Sequence, residues 1–244
     1  MRKAEGRGHI ETAHRILQDC GRVFRYAIAI GKAERDIAAD LRDALQPVQE
    51  QHFAAITDPK EVAGLLRAID NFSGSLIVKT ALQLAPLFFV RIGELRQARW
   101  EDVDFEKAEW RYLVSKTKSD HLVPLSLQSI ALLKTLQPFT GNCEWVFPSL
   151  RKHEKPFSEA TINAALQRMG YDTKKEMTGH GFRAMARTLL HEELGFEPAV
   201  IEHQLAHQVS DALGTAYNRT KFIEKRKQMM QDWADYLDTL KKTK

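Results

Sequence analysis

Residues 177–219 read MTGHGFRAMARTLLHEELGFEPAVIEHQLAHQVSDALGTAYNR. Within them, 181–194 and 198–206 carry apolar residues at the spacing of an amphipathic helix. His180, Arg183 and His207, followed by Tyr217, fall in or beside these patterns, where an ordinary core helix has no need of them. His180 and Arg183 are three apart. A helix starting near Gly179 projects both from its first turn, where free backbone N–H groups already favour an anion. The pair therefore reads either as a phosphate clamp or as a helix cap beside a surface arginine. His207 follows the apolar face Val200, Ile201, Leu205 and Ala206, and on its own it reads as a hydrogen-bonded core histidine.

His203 and His207 have the i, i+4 spacing of zinc ligands. The zinc peptidase motif needs a glutamate after the first histidine as general base, and Gln204 stands there instead. No metal site is expected. The Gly-x-Ser-x-Gly elbow of serine hydrolases, the P-loop and the Rossmann glycine pattern are also missing from the sequence.

Upstream, the apolar run ALQLAPLFFV at 81–90 stops at Arg91. It falls well short of the roughly 20 residues that span a bilayer, so it reads as the end of a buried core helix covering 75–90. Arg91 emerges where that core stops and is followed by Ile92, Gly93, Glu94 and Leu95. Alone, it reads as a snorkelling arginine paired with Glu94. Before this helix, Asp58-Pro59-Lys60-Glu61 announces another, with Asp as N-cap, Pro at the first helical position and Glu three residues after the cap.

From Trp100 the period changes to that of strands. Val103 and Phe105, then Trp110, Tyr112 and Val114, then Leu122, Val123 and Leu125 are separated by polar runs, which predicts a small antiparallel sheet. Lys116 lies in its second turn, and a turn lysine is ordinarily just solvated. Helices return after Pro124, over 129–136 and 158–169. The tail from Lys221 to Leu240 sets Phe222, Met229, Met230, Trp233, Leu237 and Leu240 on one face, giving a C-terminal amphipathic helix.

At the other end, apolar positions from Ile10 to Ile30 predict a helix interrupted near Gly21, and a shorter helix fits 36–45. Two such helices make a poor domain by themselves. Either they pack on the rest of the chain, or the sequence begins partway through a larger helical domain. The polar stretch QPVQEQH at 46–52 suits a linker.

A length of 244 residues, 43% hydrophobic and 28% charged, is that of an ordinary globular protein rather than a disordered or fibrous one. The net charge of +4 is compatible with a polyanionic partner, and equally with a mildly basic enzyme that has none. Cys20 and Cys143 show no metal or redox spacing, and the charged N-terminus has no apolar signal region, so a cytoplasmic location is expected.

The order of these residues carries more than any one of them. An Arg at a helix end, a Lys in a hairpin, His-x-x-Arg, a His after Leu-Ala and a Tyr downstream together resemble the tyrosine recombinases, or phage-type integrases. Val90-Arg91-Ile92-Gly93-Glu94-Leu95 matches the family's first arginine, and Lys116, eight before Pro124, its hairpin lysine. His180-Gly181-Phe182-Arg183 is similar to its His-x-Leu-Arg box, and Leu205-Ala206-His207 to its Leu-Gly-His box. Tyr217 in Ala216-Tyr217-Asn218-Arg219 falls where the nucleophile belongs. The segments HGFRA, QLAH, AYNR and WADYLD are closest to integrases of prophages and genomic islands of the satellite-phage type. Three departures stand out. Ile92 replaces that subfamily's usual proline. Tyr217 is ten rather than nine residues after His207, a spacing that the subfamily itself resembles. An arm-binding domain and a full core-binding domain would normally precede the catalytic one, whereas here only 1–46 precede the linker.

The resemblance implies a mainly α fold with a small antiparallel β-sheet, of the DNA breaking-rejoining type. It divides the chain into 1–46 as the C-terminal part of a helical core-binding domain, 47–56 as linker and 57–244 as the catalytic domain. The implied reaction is site-specific recombination of double-stranded DNA attachment sites through a 3′-phosphotyrosyl intermediate, without metal or cofactor. Arg91, Arg183 and His207 would stabilise charge on the phosphate, Lys116 would protonate the leaving oxygen, and His180 would assist as base or by orientation. Tyr217, a phenol of reference pKa about 10, would lose its proton as it attacks. Glu94 would orient Arg91. A homotetramer on DNA is implied, with the C-terminal helix docked on a neighbouring protomer or in cis, with no membrane partner, and with accessory DNA-bending or excision proteins. A DNA-binding remnant without recombination activity and a type IB topoisomerase-like relaxing enzyme are the alternatives.

Overall fold

The computed structural model describes residues 1–48, 53–114, 117–207 and 222–242, apart from the side chain of Arg42. It contains two compact units, residues 1–52 and 53–244. In the first, helices α1 (Arg2–Glu5) and α2 (Ile10–Ala29) precede a 3-10 turn at Ala39–Ala44. Ala13, Leu17, Ala38 and Leu45 form its small core. The interruption expected at Gly21 does not occur. A single glycine inside a helix costs only about 1 kcal/mol relative to alanine, and Gly21 is buried beside the Arg25–Asp36 ion pair at 2.9 Å. The second helix expected over 36–45 is the shorter 3-10 turn.

The second unit starts its first long helix as the sequence requires. The Asp58 carboxylate accepts from the backbone N–H groups of Lys60 and Glu61 at 2.9 and 3.1 Å, and Pro59 opens α3 (Pro59–Asp70). Val62, Leu65, Leu66 and Ile69 face inward. Helix α4 (Leu76–Phe88), capped by Ser75, is apolar nearly all round because it runs through the core against α3 and the later helices. It ends two residues before Val90. Phe89 adopts φ 38°, in the left-handed region, and so turns the chain out of the helix. The short α5 (Ile92–Arg96) follows.

The strands β1 (Val103–Asp104), β2 (Glu109–Leu113) and β3 (Asp120–Pro124) form one antiparallel sheet in the order β1-β2-β3. The register pairs Trp110 with Val123 and Tyr112 with His121, so the alternation read from the sequence places Trp110 and Val123 in the core. The chain continues through α6 (Leu127–Thr140), α7 (Thr161–Arg168), α8 (Gly181–Glu192), α9 (Pro198–Gln204) and α10 (Ile223–Lys242).

Within the single chain, α10 docks in cis on α3 and α4. Met229, Met230, Trp233 and Leu237 are buried by it, the Trp233 ring meets Phe89 edge-on at 6.3 Å, and its indole N–H donates to Pro86 O at 2.8 Å. No helix among the described residues is long and apolar enough to cross a membrane.

Candidate active site

The left-handed turn at Phe89 delivers Arg91 to the N-cap of α5, where Glu94 grips it twice. The Arg91 backbone N–H donates to Glu94 Oε2 at 3.2 Å, and its Nη1 donates to Oε1 at 3.0 Å. Glu94 is buried, and a third donor holds it: the Tyr112 hydroxyl on β2, at 2.9 Å from Oε2. Burial first, and the Glu94 charge second, hold the Tyr112 phenol well above its ordinary pKa, so it stays a donor. About a quarter of the Arg91 side chain is exposed, and it faces an open cleft lined also by Phe53, Gly93, Asn163 and His180.

His180 is the N-cap residue of α8, with Arg183 one turn on. The start of this helix is fixed from outside. The Thr178 backbone N–H donates to Ala54 O at 3.0 Å, and a Cβ at position 181 would come within 2.4 Å of that same oxygen, so only glycine fits. The His180 ring lies against Phe53, with centroids 4.3 Å apart. Burial, and then the charges of Arg183 and Arg91, lower the His180 pKa, leaving a neutral imidazole at pH 7.

Arg183 is not a surface arginine. It is 5% exposed, and its Nη1 donates to Phe89 O at 3.1 Å while Nη2 donates to Leu205 O at 2.8 Å and contacts His207 Nε2 at 2.9 Å. Burial first, and the like charge of Arg91 second, push its pKa down to about 10, so the guanidinium remains charged near neutral pH. His207 follows Ala206, whose φ of 53° is left-handed and turns the chain back at the end of α9. The His207 Nδ1 then meets Glu202 Oε2 at 2.5 Å.

Arg91, Glu94 and His180 thus line one cleft, and the paired Arg183 and His207 lie close enough behind it for their charges and those of Arg91 to act on one another and on His180. Lys116 and Tyr217 lie outside the described residues. Among the described residues, no group of three or more His, Cys, Asp or Glu side chains is arranged to hold a metal ion.

Several residues of the surroundings escaped the sequence reading. Beyond Tyr112, Glu202 and Arg187, a buried knot of His121, Gln204 and Arg226 lies where β3, α9 and α10 meet. Arg226 is 2% exposed; its Nε and Nη2 donate to Gln204 Oε1 at 2.9 and 2.5 Å, and Nη2 also donates to Leu122 O. His121 Nε2 donates to Gln204 O at 3.1 Å, since a carbonyl can only accept. Burial first, and Arg226 second, push the His121 pKa from 6.5 to about 3. The unfolded chain therefore binds a proton between these values that the folded chain refuses, and stability falls as pH drops from about 6.5 towards 3. His121→Gln, whose amide can still donate to Gln204 O, is expected to flatten this dependence. Urea midpoints of both proteins at pH 7.5 and 5 check it, and equal slopes would refute the assignment.

Comparison with known proteins gives a consistent picture. Residues 56–223 match the phage integrase family, and residues 1–44 match the phage integrase central domain. The integrase of Enterobacteria phage P4 is 36% identical over 98% of this chain and 57% of its own length. The putative protein IntB of Escherichia coli K12 is 35% identical over 98% of the chain and 64% of its own length. The chain thus spans less than two thirds of these relatives. A lambda integrase tetramer bound to a Holliday junction superposes with a TM-score of 0.64 at 19% identity, covering 88% of this chain and 64% of that one. The mainly α fold with a small antiparallel sheet is therefore the tyrosine recombinase fold expected from the sequence. With a family match over most of its length and relatives at this level of identity, the chain belongs to the phage integrase family.

Proposed function

We propose that this chain carries the strand-exchange centre of a site-specific DNA recombinase that cuts and rejoins double-stranded attachment sites. The observation that carries this reading is the gathering of Arg91 and His180 on one cleft with the paired Arg183 and His207 close by, and with Glu94 buried behind Arg91. Two guanidiniums held in fixed positions are the donors that a phosphodiester needs as charge builds on its non-bridging oxygens.

In this reaction the Tyr217 hydroxyl oxygen attacks the scissile phosphorus and the bond to the 5′ oxygen breaks. Lys116 protonates that oxygen, and His180, neutral at pH 7, takes the phenolic proton or orients the phenol. The products are a 3′-phosphotyrosyl link and a free 5′-hydroxyl. Attack by the 5′-hydroxyl of a second strand reverses each step, so no external energy source is consumed.

Residues 1–46 serve in this reading as the C-terminal part of a core-binding domain, 47–56 as linker and 57–244 as the catalytic domain. The working assembly is a homotetramer on DNA in the cytoplasm, helped by DNA-bending or excision proteins. The tetrameric lambda integrase on a Holliday junction supports that assembly by analogy. Exchange of α10 in trans would trade its cis contacts for the same contacts on a neighbour, which makes exchange inexpensive once protomers are adjacent.

The test is incubation with a nicked suicide duplex bearing a cognate attachment site. A covalent protein–DNA adduct with a free 5′-hydroxyl is expected. Neither adduct nor strand exchange would leave a DNA-binding remnant, and relaxation of any supercoiled plasmid without site preference would indicate a topoisomerase.

A further inference from the structure

The carboxylate of Glu202 has no part in the reaction just described, yet both its oxygens are engaged beside His207. Oε1 accepts from Arg187 Nε at 2.6 Å and Oε2 meets His207 Nδ1 at 2.5 Å, while Glu202 O accepts the backbone N–H of His207 at 3.0 Å. The opposite edge of the same imidazole, Nε2, lies 2.9 Å from Arg183 Nη2. Arg183 and Arg187 are one turn apart on α8, so the side chains of Glu202, Arg187, Arg183 and His207, with that turn, close a ring.

The ring dictates where the imidazole proton is. A guanidinium can only donate, so Nε2 must accept from Arg183. An ionised carboxylate can only accept, so Nδ1 must carry the hydrogen that bonds Glu202. Burial works against ionisation of Glu202, but the hydrogen bonds from Arg187 and His207 outweigh it and lower its pKa, so the carboxylate is ionised at pH 7. His207 is therefore the Nδ1–H tautomer, with Nε2 on the Arg183 side.

We propose that Glu202 is a positioning residue for the strand-exchange reaction. It locks the tautomer and ring orientation of His207, and it keeps a negative partner on the Nδ1 edge while Nε2 stays on the Arg183 side. Arg187 acts at one remove by fixing the second oxygen. The role follows the general pattern in which a carboxylate behind a functional histidine sets which nitrogen faces the chemistry. It rests on the recombinase reading above, but the tautomer itself does not.

The test uses Glu202→Gln, which keeps the shape of the side chain and removes its charge. Long-range nitrogen–proton correlation spectra of the histidine rings should give a protonated Nδ1 for His207 in the parent protein and a shift towards mixed tautomers in the variant. With saturating suicide duplex, the rate of covalent capture should fall at least tenfold, with DNA affinity and the melting temperature little changed. A protonated Nε2 in the parent, spectra identical in the two proteins, or a fall in capture matched by equal losses of affinity and melting temperature would overturn the proposal. If the parent gives no adduct, the recombinase reading fails, and the ring spectra alone then decide the assignment of Glu202.

Discussion

Tyr217→Phe is expected to give no detectable covalent adduct with a nicked suicide duplex while binding the same DNA as the parent does. The substitution removes one oxygen and keeps the ring. Loss of a covalent nucleophile costs enzymes on the order of 10⁶ in rate, far below what gel detection of an adduct can follow. Arg91 and Arg183 are held by Glu94, Phe89 and Leu205, so the proposed anion-binding arginines should stay in place after the change. Three of the other tyrosines are poor substitutes as nucleophiles. Tyr112 is committed to Glu94 with its phenol held well above the ordinary pKa, and burial raises Tyr171 and Tyr236 in the same direction. Undiminished capture by the variant would remove Tyr217 from the reaction, and a loss of capture that tracks a loss of binding would make it a DNA contact.

The second large effect is on stability. Arg226→Ala removes a buried guanidinium whose donors satisfy Gln204 Oε1 and Leu122 O. The Gln204 Nε2 is already without a partner among the described residues, so the variant would leave that amide with neither end paired. Unpaired buried polar groups cost about 1–3 kcal/mol each, and truncation of a large buried side chain adds a cavity term, so a loss of about 3 kcal/mol or more is expected. The midpoint of urea unfolding would fall accordingly. A control follows from the same reasoning: Arg226→Met with Gln204→Leu replaces both partners by apolar groups of similar size, and it should recover part of the loss. An unchanged midpoint in Arg226→Ala would mean that the knot does not hold α10 to the sheet and α9.

What could be read from the chain and what could not divide along a physical line. The start of α3 was legible because Asp58, Pro59 and Glu61 act on backbone groups two or three residues away. The sheet was legible because burial alternates along β2 and β3, and α4 because nearly every position in it is apolar. Arg91, His180, Arg183 and His207 were grouped by the resemblance of their order to the tyrosine recombinases, since each residue's own spacing left a purely structural reading open. The supports were not. Tyr112 reaches Glu94 across 18 positions, Arg226 reaches Gln204 across 22 and Leu122 across 104, and no period relates such pairs. Arg183 could have been a solvated helix arginine as far as spacing goes. Its burial follows from Phe89 and Leu205 turning their carbonyls towards it, a tertiary arrangement with no local signature. The early end of α4 and the turn at Ala206 were hidden for a related reason. Both place an L-residue in the left-handed region, where a sequence reader expects glycine.

The short segment 53–55 bears on how the protein should be subdivided in the laboratory. The family match begins at residue 56, which invites a recombinant fragment trimmed at that point. Such a fragment would lack the Phe53 ring that backs His180 and the Ala54 carbonyl that anchors Thr178 at the threshold of α8. A trimmed protein could then melt cooperatively and look sound by circular dichroism while its histidine had lost its backing. Fragment boundaries drawn from the family match alone would discard part of the cleft wall, and those for activity work belong upstream of Phe53.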